Sequence, residues 1–425
     1  MIKFDPPSIK DEMNSVKLVI EKHNCELGEW YPTDDPDFDS SEFDDEIITY
    51  STTVGLLVPQ ADDSPELTIK DLIDLSEELK NASLQNNTRY ISQKRILQSI
   101  EPLENTKLSI LGLGGNWPST RLFEQGLNID GNEISIGIVN GFSPFSLMVT
   151  KNGDYEEFWP PFHEEDYFIE ITFENTMESN IVDSLIETYL FELNSSLNLT
   201  FRQHIRPTID GHWDYDDTHE KAIELEETSR LRPLIRGKGL KEACHLFNKA
   251  MSIEDDELRL FSLVKVIEYI APTVVKKKTN EQIRQRLLSA DALNPDADFI
   301  ADLIKLVENN RETRKDAAAL KLTIFEACDP SPLDKVAPKY LSTIHLKRDL
   351  IKDAERKAAL EELSNCITAT RNKIAHAKSN FKPTGKECPE EQLTSFVECL
   401  RLVTIQIVQW FATCPEELRI LNSGQ

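Results

Sequence analysis

The stretch Thr370-Arg371-Asn372-Lys373-Ile374-Ala375-His376-Ala377 closes one helical pattern and stands before another. Ahead of it, Leu360, Leu363, Ile367, Thr370 and Ile374 recur at alternating intervals of three and four, which is the buried stripe of an amphipathic helix. The chain breaks at Phe381-Lys382-Pro383-Thr384-Gly385. It resumes with Leu393, Phe396, Leu400, Val403, Ile407 and Trp410 in the same rhythm. Two such stripes must be buried against something, so the spacing predicts a packed helical bundle rather than a helix lying on a membrane.

Working outward, the helical rhythm extends back to Gly239. Leu240 to Met251 reads as a short amphipathic helix. Glu254-Asp255-Asp256 then places carboxylates at the start of the next, where the helix dipole favours them. Leu258 to Ala271 is apolar on most faces, as a central helix would be, and Glu268 is the one carboxylate within it. Lys276-Lys277-Lys278 reads as a loop, with further helices over Glu281–Ser289, Phe299–Cys328 and Leu333–Leu346.

The N-terminal half has a different texture. After an acidic run from Trp30 to Glu46, the β-branched stretch Ile47–Val58 predicts a strand, and Ser64–Ala82 a helix. Leu108–Leu111, Ile134–Val139, Phe145–Val149 and Tyr167–Phe173 read as strands between turns, followed by a helix through Ile181, Leu185, Leu190, Leu193 and Leu197. The expected fold class is therefore α+β. A β-rich N-terminal domain covers 1–205, a linker 206–237 (Pro207, Gly211, Pro233, Gly237), and an all-α bundle 238–425.

Charge divides the chain in the same place. Residues 231–425 carry 31 basic and 28 acidic side chains, a net of +3, so residues 1–230 hold −30 against the total of −27. Phosphate contacts dominate affinity for nucleic acid, so only the second half suits RNA or DNA. The seven cysteines form no C-x-x-C pair and no zinc-spaced cluster with histidine, which points to a reducing compartment and no metal. The N-terminus has no basic region leading into an apolar core, nor is there an 18-residue apolar run. A cytoplasmic protein with no membrane partner and no cofactor is expected.

Two other motifs invite chemistry and lack support. Gly112-Leu113-Gly114-Gly115-Asn116 follows a strand pattern but lacks the lysine and helix of a phosphate loop. His212 to His219 is an acidic, histidine-bearing run with no regular element to fix two ligands. Arg206 and His212 repeat the arginine–histidine pairing, but Pro207 and Gly211 break any helix between them.

At residues 371–376 the residue types fit a phosphodiester. Arginine offers a planar, permanently charged fork to phosphate oxygens. Histidine, with an ordinary pKa of about 6.5, gives or takes a proton near neutrality. Asparagine can fix a hydroxyl or a ring. The plain alternative is a solvated helix face with His376 at its C-terminal end, and Glu268 as a salt-bridge partner inside the bundle.

The C-terminal half resembles the HEPN superfamily, small helical bundles in which an arginine precedes a histidine by a short gap, often with Asn, Asp or His after the arginine. Here the match is Arg371-Asn372-x-x-x-His376, and Glu268 in Val266-Ile267-Glu268-Tyr269-Ile270 resembles the acidic residue that such bundles carry on a core helix. A β-rich domain ahead of the bundle is similar to ApeA-like and MauJ-like bacterial HEPN proteins. The resemblance implies a metal-independent endoribonuclease acting on RNA as a homodimer, in antiviral defence or as a toxin. Its catalytic residues would be Arg371, Asn372, His376 and Glu268. It equally allows a catalytically silent scaffold module. Helix geometry also favours two chains, because Arg371 and His376, five apart, sit about 140° around an ideal helix. The acidic half would then sense a protein, a small molecule or a phage component.

Overall fold

The change of apolar spacing along the sequence is also the change of architecture. The computed structural model describes residues 3–28, 47–61, 64–103, 121–155, 160–163, 166–204, 231–313, 316–345, 352–375 and 382–421. One compact unit comprises Met1–Glu178 and Phe201–Leu231, the other Ser179–Thr200 and Arg232–Gln425. The fold class is α+β, with a β-rich N-terminal region followed by an all-helical one.

The described elements up to the second unit are β1 (Lys3–Asp5), α1 (Ile9–Glu21), β2 (Glu26–Leu27), β3 (Ile47–Thr49), β4 (Thr53–Leu57), β5 (Glu66–Thr68), α2 (Ile69–Leu79), β6 (Ser83–Gln85), β7 (Arg89–Ile91), β8 (Arg95–Pro102), β9 (Leu122–Ile129), β10 (Asn132–Asn140), α3 (Pro144–Asn152), β11 (Tyr167–Phe173), α4 (Ser179–Leu197) and β12 (Phe201–Gln203). The main sheet runs β6-β7-β8-β11-β10-β9 with antiparallel neighbours. β8 carries β11 along one edge, while β7 and β12 share the other edge in tandem, at residues 96–98 and 100–102. Leu97, Val139 and Phe168 of the sheet share a core with Ile9 and Met13 of α1, Leu72 of α2 and Phe145 of α3.

Several local expectations change. Phe145–Val149, read as a strand, lies in α3. Pro144 suits a helix start, Ser146 Oγ accepts a bond from the Ser143 N–H at 3.3 Å, and Gly153 ends the helix at φ +74°. A five-residue run with four apolar side chains is too short for a clear period, so the flanking serine, proline and glycine decide it. The strand expected over Ile47–Val58 is two strands, and Ser64–Ala82 begins with β5 before α2. The segment ahead of the acidic run holds α1, whose Ile9, Met13, Val16 and Ile20 are buried. Pro6-Pro7 lie just ahead of this helix, whose N-cap is Ser8. Leu108–Leu111, Gly112–Asn116 and the acidic run lie outside the described residues.

The second unit contains α4, then α5 (Leu240–Met251), α6 (Asp256–Leu287), α7 (Ala297–Thr313), α8 (Asp316–Ala327), α9 (Ser342–His345), α10 (Asp353–Ala375) and α11 (Leu393–Thr413). α6 is central, packed by α5, α7, α8, α10 and α11. Leu263, Val266, Ile267, Ile270 and Val274 bury its apolar faces, and Asp255 caps it by accepting from the Leu258 N–H at 2.8 Å. Lys276-Lys277-Lys278 is helical, not a loop. Pro272 removes one backbone donor, yet Val274 and Val275 are buried beyond it, and their packing carries the helix on. Gly239, at φ +80°, opens α5 where a Cβ would come within 2.7 Å of Leu421 Cδ2. Among the described residues one helix, Glu390–Thr413, is long and apolar enough to cross a membrane, and 61% of its apolar window is buried in the protein.

α4, counted with the first half on sequence grounds, is built into the helical unit. Phe191 meets Phe247 of α5 edge-on at 5.1 Å, and Asn194 Oδ1 accepts from Arg401 Nη1 of α11 at 2.9 Å. The buried Glu187 carboxylate lies 2.9 Å from His245 Nδ1 and accepts from Asn248 Nδ2 at 2.8 Å. That bond from Glu187 raises the His245 pKa above its ordinary 6.5, against the smaller opposing effect of burial. Protonated His245 therefore stabilises the fold fully below that ordinary value, and the contribution fades as pH rises through the raised one. His245→Gln should lower the melting temperature at about pH 5.5 and leave it nearly unchanged at about pH 9. Thermal melts of the two proteins across that range check this, and a pH-independent difference would remove the ion pair from the account.

Candidate active site

α10 starts with Asp353 and Glu355 in its first turn, where negative charge suits the helix dipole. Its middle buries Ala359, Leu360, Leu363, Cys366 and Ile367 in the same core as Leu263, Ile267 and Ile270 of α6. Thr370, also buried, accepts a bond from the Cys388 N–H at 2.8 Å, which ties the chain after the break back onto α10. The stripe read from the sequence is thus the buried one, with Ile374 at its half-buried edge.

Arg371 comes one position after Thr370 and so stands at the margin of that face. Its Nη2 donates to Glu268 Oε1 on α6 at 3.1 Å, and its Nη1 donates to Asn372 Oδ1 at 3.3 Å. The guanidinium carbon lies 5.6 Å from the centre of the Phe261 ring. Glu268 and Phe261 are seven residues apart on α6 and therefore share a face. Three of the four residues singled out in the sequence are brought together here across 103 positions of chain. His376, the fourth, lies outside the described residues.

Magnitudes bear on what this cluster is for. The Arg371 and Glu268 side chains keep 26% and 33% of their exposure. An ion pair that wet is worth about 0–1 kcal/mol, and a cation over an aromatic ring adds about 0.5–1. The arrangement is too weak to hold the bundle together, but strong enough to point a guanidinium. Arginine has five N–H donors, and the bonds to Glu268 and Asn372 use two of them. An incoming anion could be held by others, or could exchange with Glu268.

The residues that sequence reading missed are Phe261 and Lys265, whose Nζ lies 4.9 Å from the same ring. Both looked like ordinary positions of a core helix, and only the approach of α10 gives them a role. In the first unit, Arg95 bonds Glu78 and Glu170, and Arg121 bonds Glu170 and Glu124. The buried Glu78 also accepts from Tyr90 and Ser92. These charges answer one another across β8, β11 and α2, which marks a brace within the sheet. Among the described residues no group of three or more His, Cys, Asp or Glu side chains could hold a metal ion. Arg206, His212 and His219 fall outside the described residues. All seven cysteines are free and buried, and burial pushes the Cys388 thiol up to about 11 and the Cys399 thiol up to about 12. Comparison with protein families, curated proteins and solved structures returned no match.

Proposed function

We propose that the helical unit is a HEPN-type endoribonuclease that cuts RNA without a metal and works as a homodimer. The observation that carries this reading is the guanidinium of Arg371, steered by Glu268 and Asn372 at the margin of α10, five residues before His376. In the proposed reaction His376 takes the proton of a ribose 2′-hydroxyl, whose oxygen attacks the adjacent phosphorus. The bond from phosphorus to the 5′-oxygen breaks, and that oxygen leaves as a 5′-hydroxyl, taking back from protonated histidine the proton that the 2′-hydroxyl gave up. Arg371 stabilises the extra negative charge on the phosphoryl oxygens. The products are a 2′,3′-cyclic phosphate and a 5′-hydroxyl, and DNA, lacking the nucleophile, is inert. The acidic N-terminal unit serves as the regulator, answering to a protein, a small molecule or a phage component in bacterial antiviral defence, or restraining a toxin.

On an unbroken ideal helix Arg371 and His376 would face about 140° apart, which two chains meeting across a twofold axis would resolve. Mixing tests this directly. Arg371→Ala and His376→Ala proteins, each inactive alone, should recover part of the RNA cleavage when refolded or co-expressed together, since a mixed dimer can assemble one intact composite site. No recovery, with light scattering showing a fully active wild-type monomer, would exclude the dimer. One observation favours the rival reading, a silent HEPN-like scaffold module: Arg371 already has a carboxylate partner. Purified protein that leaves single-stranded RNA intact under every trigger would favour the scaffold.

A further inference from the structure

Phe261 is half-buried and draws two cations to itself, Lys265 from its own helix at 4.9 Å and Arg371 from α10 at 5.6 Å. The two charges can therefore be no farther apart than the sum of those distances, a span that neighbouring phosphates of one strand fit within. Glu268 pairs with Arg371. Lys265 is exposed, and among the described residues no carboxylate pairs with it. Asp256 in the first turn of α6 is answered by Arg259 at 3.5 Å, but Glu257 beside it is exposed, so a polyanion is disfavoured there and favoured toward Lys265.

We infer that Lys265, set by the Phe261 ring, is the seat of a second phosphate on the same RNA strand, next to the phosphate that Arg371 takes. This rests on the ribonuclease reading and adds a substrate-positioning residue to it. Lysine suits the task because a point charge on a flexible stem tolerates any base and any sugar pucker. Phe261 limits that flexibility by holding the ammonium over its face. The seat recognises backbone, so it lends affinity and register without sequence preference.

The test uses the full-length protein and a fluorescein-labelled 2′-O-methyl oligoribonucleotide, which binds but has no nucleophile. Affinity is measured by anisotropy over a range of salt. Losing one phosphate contact on a single strand flattens the slope of log K against log salt by about 0.7. Lys265→Gln should show that flattening and Lys265→Arg should restore the wild-type slope. On cleavable RNA, Lys265→Gln should raise KM with kcat preserved. A Lys265→Gln slope equal to a steep wild-type slope would overturn the seat while leaving the nuclease reading intact. A wild-type slope of zero would remove the RNA reading, and the seat with it.

Discussion

Arg371→Lys should abolish cleavage of single-stranded RNA almost as completely as His376→Ala. Lysine keeps the charge but offers a point donor on a flexible stem, where the fork holds two oxygens in a fixed plane. Removing one preorganised donor to a developing oxyanion costs about 10²–10³ in rate, and removing a general acid or base about 10²–10⁴. The fold should survive, because the Arg371–Glu268 pair is partly exposed and worth about 1 kcal/mol or less. Initial rates on a labelled single-stranded RNA, with melting curves of the same samples, separate chemistry from stability. The products should end in a 2′,3′-cyclic phosphate, and a chelator should leave the rate unchanged. An active enzyme that depends on magnesium, or one that cuts DNA equally well, would show that Arg371 and His376 have been given the wrong roles.

A fragment covering 231–425 should fail to give a stable fold, although the sequence marks it as the whole of the basic half. It lacks α4, and with α4 go Phe191 from beside Phe247 and the Glu187 bonds to His245 and Asn248. Deleting one buried phenylalanine typically costs about 3–5 kcal/mol, a large share of the roughly 5–15 that hold a domain folded. Joining 179–200 to 232–425 through a short flexible linker should restore cooperative melting. That fusion also tests the acidic unit as a restraint. It should bind RNA more tightly than the whole chain at low salt, with the difference shrinking as salt screens the charge. Equal affinity in a well-folded fusion would mean the acidic unit does not hold RNA away.

The helical half was the more legible in sequence, for a physical reason. Each long stripe, such as Leu360 to Ile374 or Leu393 to Trp410, repeats often enough to average out exceptions, and both lie in the core as read. Short elements gave no such averaging. The run 145–149 could be strand or helix, and β6, β7 and β12, three residues each, left no usable period. The lysine cluster 276–278 was also misread, because a charged run looks like a loop when only composition is weighed, and it sits on α6. The meeting of Glu268 with Arg371 was legible as a possibility from two helices of one bundle. Phe261 and Lys265 were not, since their part depends on which face α10 approaches.

Pro272 has a mechanical consequence. It stands four residues after Glu268, so it brings no N–H to the carbonyl of that residue, and α6 lacks a rung of its ladder at the level of the candidate site. A rod with one rung missing bends there first. In α6 the side chains beyond that rung resist such bending: Val274 and Val275 are buried, and α7 packs on the helix. The Glu268 carboxylate that steers the guanidinium thus keeps its aim through packing where the backbone bond is missing.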